Sequence, residues 1–224
     1  DFALADVLGV RFRGTADASN CYLRAVPELR KFGVPMMDVE AGGGYTRIET
    51  VTATKLLDLV PPYRGLKSGP PDTAPGGPGV TINTYGAGKA LYCAADLFGA
   101  FFEKATPNMR KLAAWMLDAV YPAGSALAAL DNAPVSVELF FNERGNERFV
   151  HLVNWCGDKR DIGTPQVQDF PAVHGIRVRV RAEKRPREVS LLPESGKVDF
   201  TWSDGVAAFE ARPLRIHDVY RVVM

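Results

Sequence analysis

Along the first half of the chain, hydrophobic positions switch between a helical and a strand-like period. Phe2, Leu4, Ala5 and Leu8 share one helical face, and Gly9 is placed to end that helix. Residues 11–22 are polar and irregular, and 22–32 have mixed helical character around Pro27. Residues 34–39 and 45–51 read as strands on either side of the flexible AGGG at 41–44. A short apolar run at 56–60 stops at Pro61 and Pro62. Residues 69–78, GPPDTAPGGP, predict an exposed, mobile loop outside any ladder, because proline lacks the N–H that a ladder needs.

The stretch 79–102 organises this half. Val80, Ile82 and Thr84 alternate as one strand, a Gly-Ala-Gly turn follows at 86–88, and 90–94 return as a second strand. Asp96 then caps a helix whose Leu97, Phe98, Phe101 and Phe102 are predicted to form its buried face. Thr106 and Pro107 start a second helix with Leu112, Trp115, Met116 and Ala119 as its buried stripe, and Pro122 lies beyond its end. A hairpin feeding a helix calls for a sheet on one side and a helical layer on the other.

The character changes after a small-residue linker at 123–133. Alternation recurs at 135–142, 148–155, 175–181, 187–192, 198–202, 206–210 and 214–223. Turns at 144–146, 194–196 and 203–205 separate several of these runs. That spacing predicts a β-sandwich. The expected architecture is an α/β domain over 1–122 followed by an all-β sandwich over 131–224.

Composition excludes more than it selects. Lys plus Arg number 27 against 26 Asp plus Glu, so no net charge draws the protein to nucleic acid or an anionic membrane. The basic run at 177–187 alternates Arg with Val and reads as the solvent face of a strand. Cys21, Cys93 and Cys156 lack C-x-x-C spacing, which argues against a zinc site or a disulfide framework. No apolar run reaches the ~20 residues of a membrane helix. The chain opens at Asp1 inside an apolar helical pattern, as a piece of a longer polypeptide would, so the N-terminus does not define a compartment.

FALADVLGV at 2–10, TYGAGKALYCAADLF at 84–98, RFVHLVNW at 148–155 and RPLRIHDVYRVV at 212–223 carry a resemblance. They look like the C-terminal region of large bacterial glycoside hydrolases, in which a β-galactosidase-type trimerisation domain and a small β-sandwich follow a TIM barrel. The resemblance implies a partial flavodoxin-like domain, similar to class I glutamine amidotransferases but without their catalytic residues. It also implies a truncated domain whose exposed sheet edge is closed either by another subunit, in a homo-oligomer, or by local rearrangement, with the homo-oligomer the favoured expectation. The barrel with its two catalytic carboxylates has no counterpart in this sequence.

Candidate chemistry is sparse. Asp38 and Glu40 are two apart on an expected strand, and Glu143 and Glu147 flank a turn, but neither pair carries a glycosidase signature. Cys93 lies between a strand and a helix without the glycines of a nucleophile elbow, so an inert thiol is expected. Ser19, near Asp17, sits in the irregular early stretch; with His151 it would give a cryptic Ser/His esterase site. His151, His174 and His217 each read as structural histidines. Trp155 and Trp202 offer a carbohydrate platform or anchor the sandwich core. No metal or cofactor site is expected. The reading is a non-catalytic assembly portion of a glycoside-hydrolase-like protein. A stand-alone esterase and a carbohydrate-binding module remain open beside it, with a small ester or a carbohydrate as ligand.

Overall fold

The computed structural model describes residues 1–121, 125–156, 169–194 and 196–224. Pro122, Gly124 and Ser195, which entered the expected helix end, linker and turn, lie outside the described residues. The chain divides into two units, Asp1–Ala123 and Gly124–Met224, each with its own hydrophobic core. Strands dominate and helices are few.

In the first unit, α1 (Ala5–Leu8) ends where expected: Gly9 turns left-handed at φ 65 and its N–H returns to the Ala5 carbonyl. β1 (Val10–Ala16) pairs antiparallel with β4 (Tyr45–Thr50) as a two-stranded ribbon. A five-stranded sheet runs in the order β3-β2-β5-β6-β7. Its members are β2 (Tyr22–Leu23), β3 (Val39–Glu40), β5 (Thr54–Val60), β6 (Gly77–Tyr85) and β7 (Gly88–Cys93). The hairpin β6–β7 closes with Tyr85 opposite Gly88, as the Gly-Ala-Gly turn predicted. Asp96 caps α2 (Leu97–Lys104) by accepting the Gly99 N–H at 3.0 Å. In α3 (Pro107–Val120), Pro107 takes the first turn, but the Thr106 side chain makes no capping bond. Leu23, Leu57, Leu59 and Val80 of the sheet share one core with Leu97, Met109, Leu112 and Met116 of the helices.

Four expectations are corrected here. All pairings of the five-stranded sheet are antiparallel, so these residues do not form the parallel sheet of a flavodoxin-like or amidotransferase-like domain. A two-residue hairpin can only reverse the chain; parallel neighbours need a long crossover. The irregular stretch 11–22 contains most of β1, in which only Val10 is buried, while Arg11, Phe12, Arg13 and Thr15 are exposed. Gly77 and Pro78 do enter a ladder, opposite Leu59 and Asp58, at the strand start where a missing N–H is tolerated. Finally, α2 buries Leu97 and Ala100 while Phe98 and Phe102 are 57% and 71% exposed.

In the second unit, β8 (Ala128–Asp131), β11 (Arg177–Arg181), β14 (Thr201–Ser203) and β15 (Val206–Glu210) form one antiparallel sheet, in the order β14-β15-β11-β8. The other is β13-β12-β16-β10-β9. It comprises β9 (Val137–Arg144), β10 (Glu147–Asn154), β12 (Glu188–Leu192), β13 (Gly196–Lys197) and β16 (His217–Val223). Val150, Leu152, Val189, Tyr220 and Val222 of the second sheet meet Val178, Val180 and Phe209 of the first in one core, the arrangement of a β-sandwich. Arg177, Arg179 and Arg181 alternate with the buried Val178 and Val180, so the basic run is the solvent face of β11. β8 lies in the stretch expected to be a linker. No helix among the described residues is long and apolar enough to cross a membrane.

Candidate functional site

Two loops and a capped helix of the first unit converge on a polar groove of about 340 Å³. Ser19 comes from the β1–β2 connection and Gly42, Gly43 and Gly44 from the β3–β4 loop. Asp96, Gly99, Ala100, Glu103 and Lys104 come from α2 and its cap. Two features noted separately in the sequence, Ser19 and the AGGG stretch, thus meet in space.

Packing explains the glycines. Gly42 holds φ at 105, and a Cβ there would sit 2.8 Å from the Asp96 carbonyl oxygen. Its own carbonyl accepts the Cys21 N–H. The loop lies against the start of α2 because it has no side chains to keep it away.

Most of the charges around the groove are already engaged. Glu40 bonds Lys104, and that bond raises the lysine pKa above its ordinary range, so the ammonium persists and cannot act as a base. Asp96 is occupied with its helix cap. Asp38 forms an ion pair with Arg24 at 3.2 Å rather than a carboxylate pair with Glu40. Arg24 also donates to the carbonyls of Asp72 and Thr73, while Asn20 and Tyr22 donate to the Gly69 carbonyl. The 69–78 loop, expected to be mobile, is therefore stitched to β2. Asp17 pairs with Lys67 at 3.0 Å, and the Ser19 N–H donates to the Lys67 carbonyl.

Neither thiol in this unit is prepared for nucleophilic work. Burial pushes Cys93 up to about 11, and burial with the neighbouring Cys93 and Glu40 pushes Cys21 up to about 12. All three histidines belong to the second unit, so Ser19 has no imidazole in its own unit. The groove offers a hydroxyl, carboxylates and an ammonium to a polar ligand, and among the described residues of this unit no nucleophile and base are assembled.

In the second unit, the β10–β16 register sets His151 opposite Val219 and Val153 opposite His217. The histidines are diagonal neighbours on one face, with His151 Nδ1 3.2 Å from His217 Nε2 and the rings nearly parallel at 11°. Burial, then the charge of His217, lowers the His151 pKa. This pairing across 66 residues was missed from sequence; the period-2 pattern showed the face, but not the register. Glu143 pairs with Arg148 at 2.8 Å, and Glu147 pairs with Arg144 at 3.0 Å and Arg221 at 3.6 Å. The Trp202 indole N–H donates to the Ala182 carbonyl at 2.9 Å, whereas Trp155 is 38% exposed. Among the described residues no three metal-ligating side chains gather.

This is a β-rich, two-unit fold that recurs inside larger glycoside hydrolases. α-L-Fucosidase isoenzyme 2 from Paenibacillus thiaminolyticus superposes with a TM-score of 0.78 at 17% identity, over 96% of this chain and 33% of that one. A β-galactosidase from Bacillus circulans sp. alkalophilus gives 0.51 at 16% identity, over 98% of this chain and 25% of the other. Gan42B, a GH42 β-galactosidase from G. stearothermophilus, gives 0.52 at 13% identity, over 99% and 24%. At such identities the likeness is one of fold. This chain spans a quarter to a third of the length of those enzymes. No family model and no curated protein sequence matches it.

Proposed function

We propose that this chain is a non-catalytic assembly and accessory portion of a glycoside-hydrolase-like protein, comparable in role to a trimerisation domain with its attached sandwich. One observation carries the reading: nearly the whole chain superposes on only a third of an α-L-fucosidase. A second supports the assembly role. Phe98 and Phe102 stand one turn apart on the outward stripe of α2, Leu117 lies on α3 and Tyr121 just past its end, and each is more than half exposed. Exposed apolar side chains of this kind are the surface a second copy of this chain would cover.

The test has two arms. The purified chain should hydrolyse p-nitrophenyl α-L-fucoside, β-D-galactoside and acetate no faster than buffer. Light scattering should give a multiple of the chain mass, falling to the monomer in a Phe98→Glu/Phe102→Glu variant that keeps its circular dichroism. Turnover that co-purifies with the chain and is lost in Ser19→Ala would replace the accessory reading with an esterase. A strict monomer at high concentration would remove the assembly role.

A further inference from the structure

We infer that His151 and His217 form a two-histidine chelating site for a borderline divalent transition-metal ion on the outer face of the sandwich. Imidazole suits nickel, copper and zinc, whereas magnesium and calcium require oxygen ligands. The spacing is the first support. With metal–nitrogen bonds of about 2.0–2.1 Å, nitrogens 3.2 Å apart subtend about 100° at one ion, between the tetrahedral and octahedral values. The hydrogen-bonded pair already holds its donor atoms at that separation. When an ion replaces the shared proton, each of these two nitrogens has a lone pair to offer it after a small reorientation of the rings.

The setting is the second support. Both residues belong to paired strands of a hydrogen-bonded ladder, so the sheet supplies the pre-organisation. His151 is flanked by Phe140 of β9 and Val219 of β16. Neither flanking residue carries a metal-binding atom, and His217 is exposed to solvent for ion entry. With two protein ligands, water completes the coordination.

The test is calorimetric titration of Ni²⁺ and Cu²⁺ into the tag-free, chelator-washed chain carrying Cys156→Ser, which removes the exposed thiol as an alternative ligand. One ion should bind per chain, Cu²⁺ more tightly than Ni²⁺, and Mg²⁺ should give no heat. His151→Gln or His217→Gln should each weaken Ni²⁺ binding by about tenfold or more, because either loss turns chelation into single-point attachment. His174→Gln, at an exposed histidine outside the pair, should leave it unchanged. Metal-free melting curves of each variant establish that the fold is intact. Unchanged affinity in both pair variants, or a loss confined to one of them, would overturn the site.

Discussion

Replacing Gly42 by alanine isolates the close approach that shapes the groove. Two costs combine. A φ of 105 is a conformation that a side-chain-bearing residue reaches only with strain, of order 1–3 kcal/mol. The new methyl would also lie 2.8 Å from the Asp96 carbonyl oxygen and 3.2 Å from the Ala100 Cβ, so α2 or the loop must move. Forced overpacking adds about 1–3 kcal/mol. Together they predict a loss of roughly 3–4 kcal/mol in the first unit, a large share of the stability of an ordinary domain. Gly44→Ala is the matched control: its methyl meets one carbonyl oxygen, of Ala16, at 3.2 Å, and its φ is not positive. That change should cost about 1 kcal/mol or less. Native-state hydrogen exchange on peptides from β5 and α2 reads both. The Gly42 variant should lose about a hundredfold or more in protection, at about 1.4 kcal/mol per factor of ten. A loss below tenfold, or an equal loss in the Gly44 variant, would show that the glycine is not there for packing.

Two further outcomes are expected from the same unit. Thr81 Oγ1 is buried without a hydrogen-bond partner among the described residues, so Thr81→Val should stabilise by about 1 kcal/mol in urea unfolding; destabilisation would reveal an unseen partner. The buried thiols make stability depend on alkaline pH. Their folded pKa values are raised, to about 12 for Cys21 and about 11 for Cys93, so above about pH 9 the unfolded chain releases protons that the folded chain keeps. Stability contributed by the neutral thiols is therefore complete below that pH and declines as pH rises, by at most about 1.4 kcal/mol per unit per thiol. The gap between urea midpoints at pH 8 and pH 10 should narrow in Cys21→Ala, the remainder belonging to Cys93; an unaltered gap would contradict the assignment.

The sequence was most legible where one residue type has one local use. Gly9 ending α1, Asp96 capping α2 and the turn of the β6–β7 hairpin are decided by neighbouring backbone alone. Elements that depend on distant partners were harder to read. β1 does alternate, with Val10, Phe12, Gly14 and Ala16 set against Arg11, Arg13 and Thr15, but only Val10 is buried and two of the alternate positions are small, so the pattern is easily read as irregular. β8, with the sequence AALD, lacks the β-branched residues that mark a strand and exists by pairing with β11. On α2 the three- and four-residue spacings were real, but periodicity does not distinguish the stripe facing the core from the one facing outward. The groove and the histidine pair required register and loop closure, which composition and spacing do not encode. The Asp38–Arg24 ion pair was hidden for the same reason, and its carboxylate looked available when it was already engaged.

The separateness of the two cores gives the molecule built-in optical labels. Trp115 is the sole tryptophan of the first unit and packs against that unit's core. Trp155 and Trp202 belong to the second. Substituting Trp115 by phenylalanine would leave fluorescence that reports only the sandwich. Substituting the other two would leave a single emitter for the sheet-and-helix unit. Heat or denaturant would then write one melting record for each unit, without any dye or added probe.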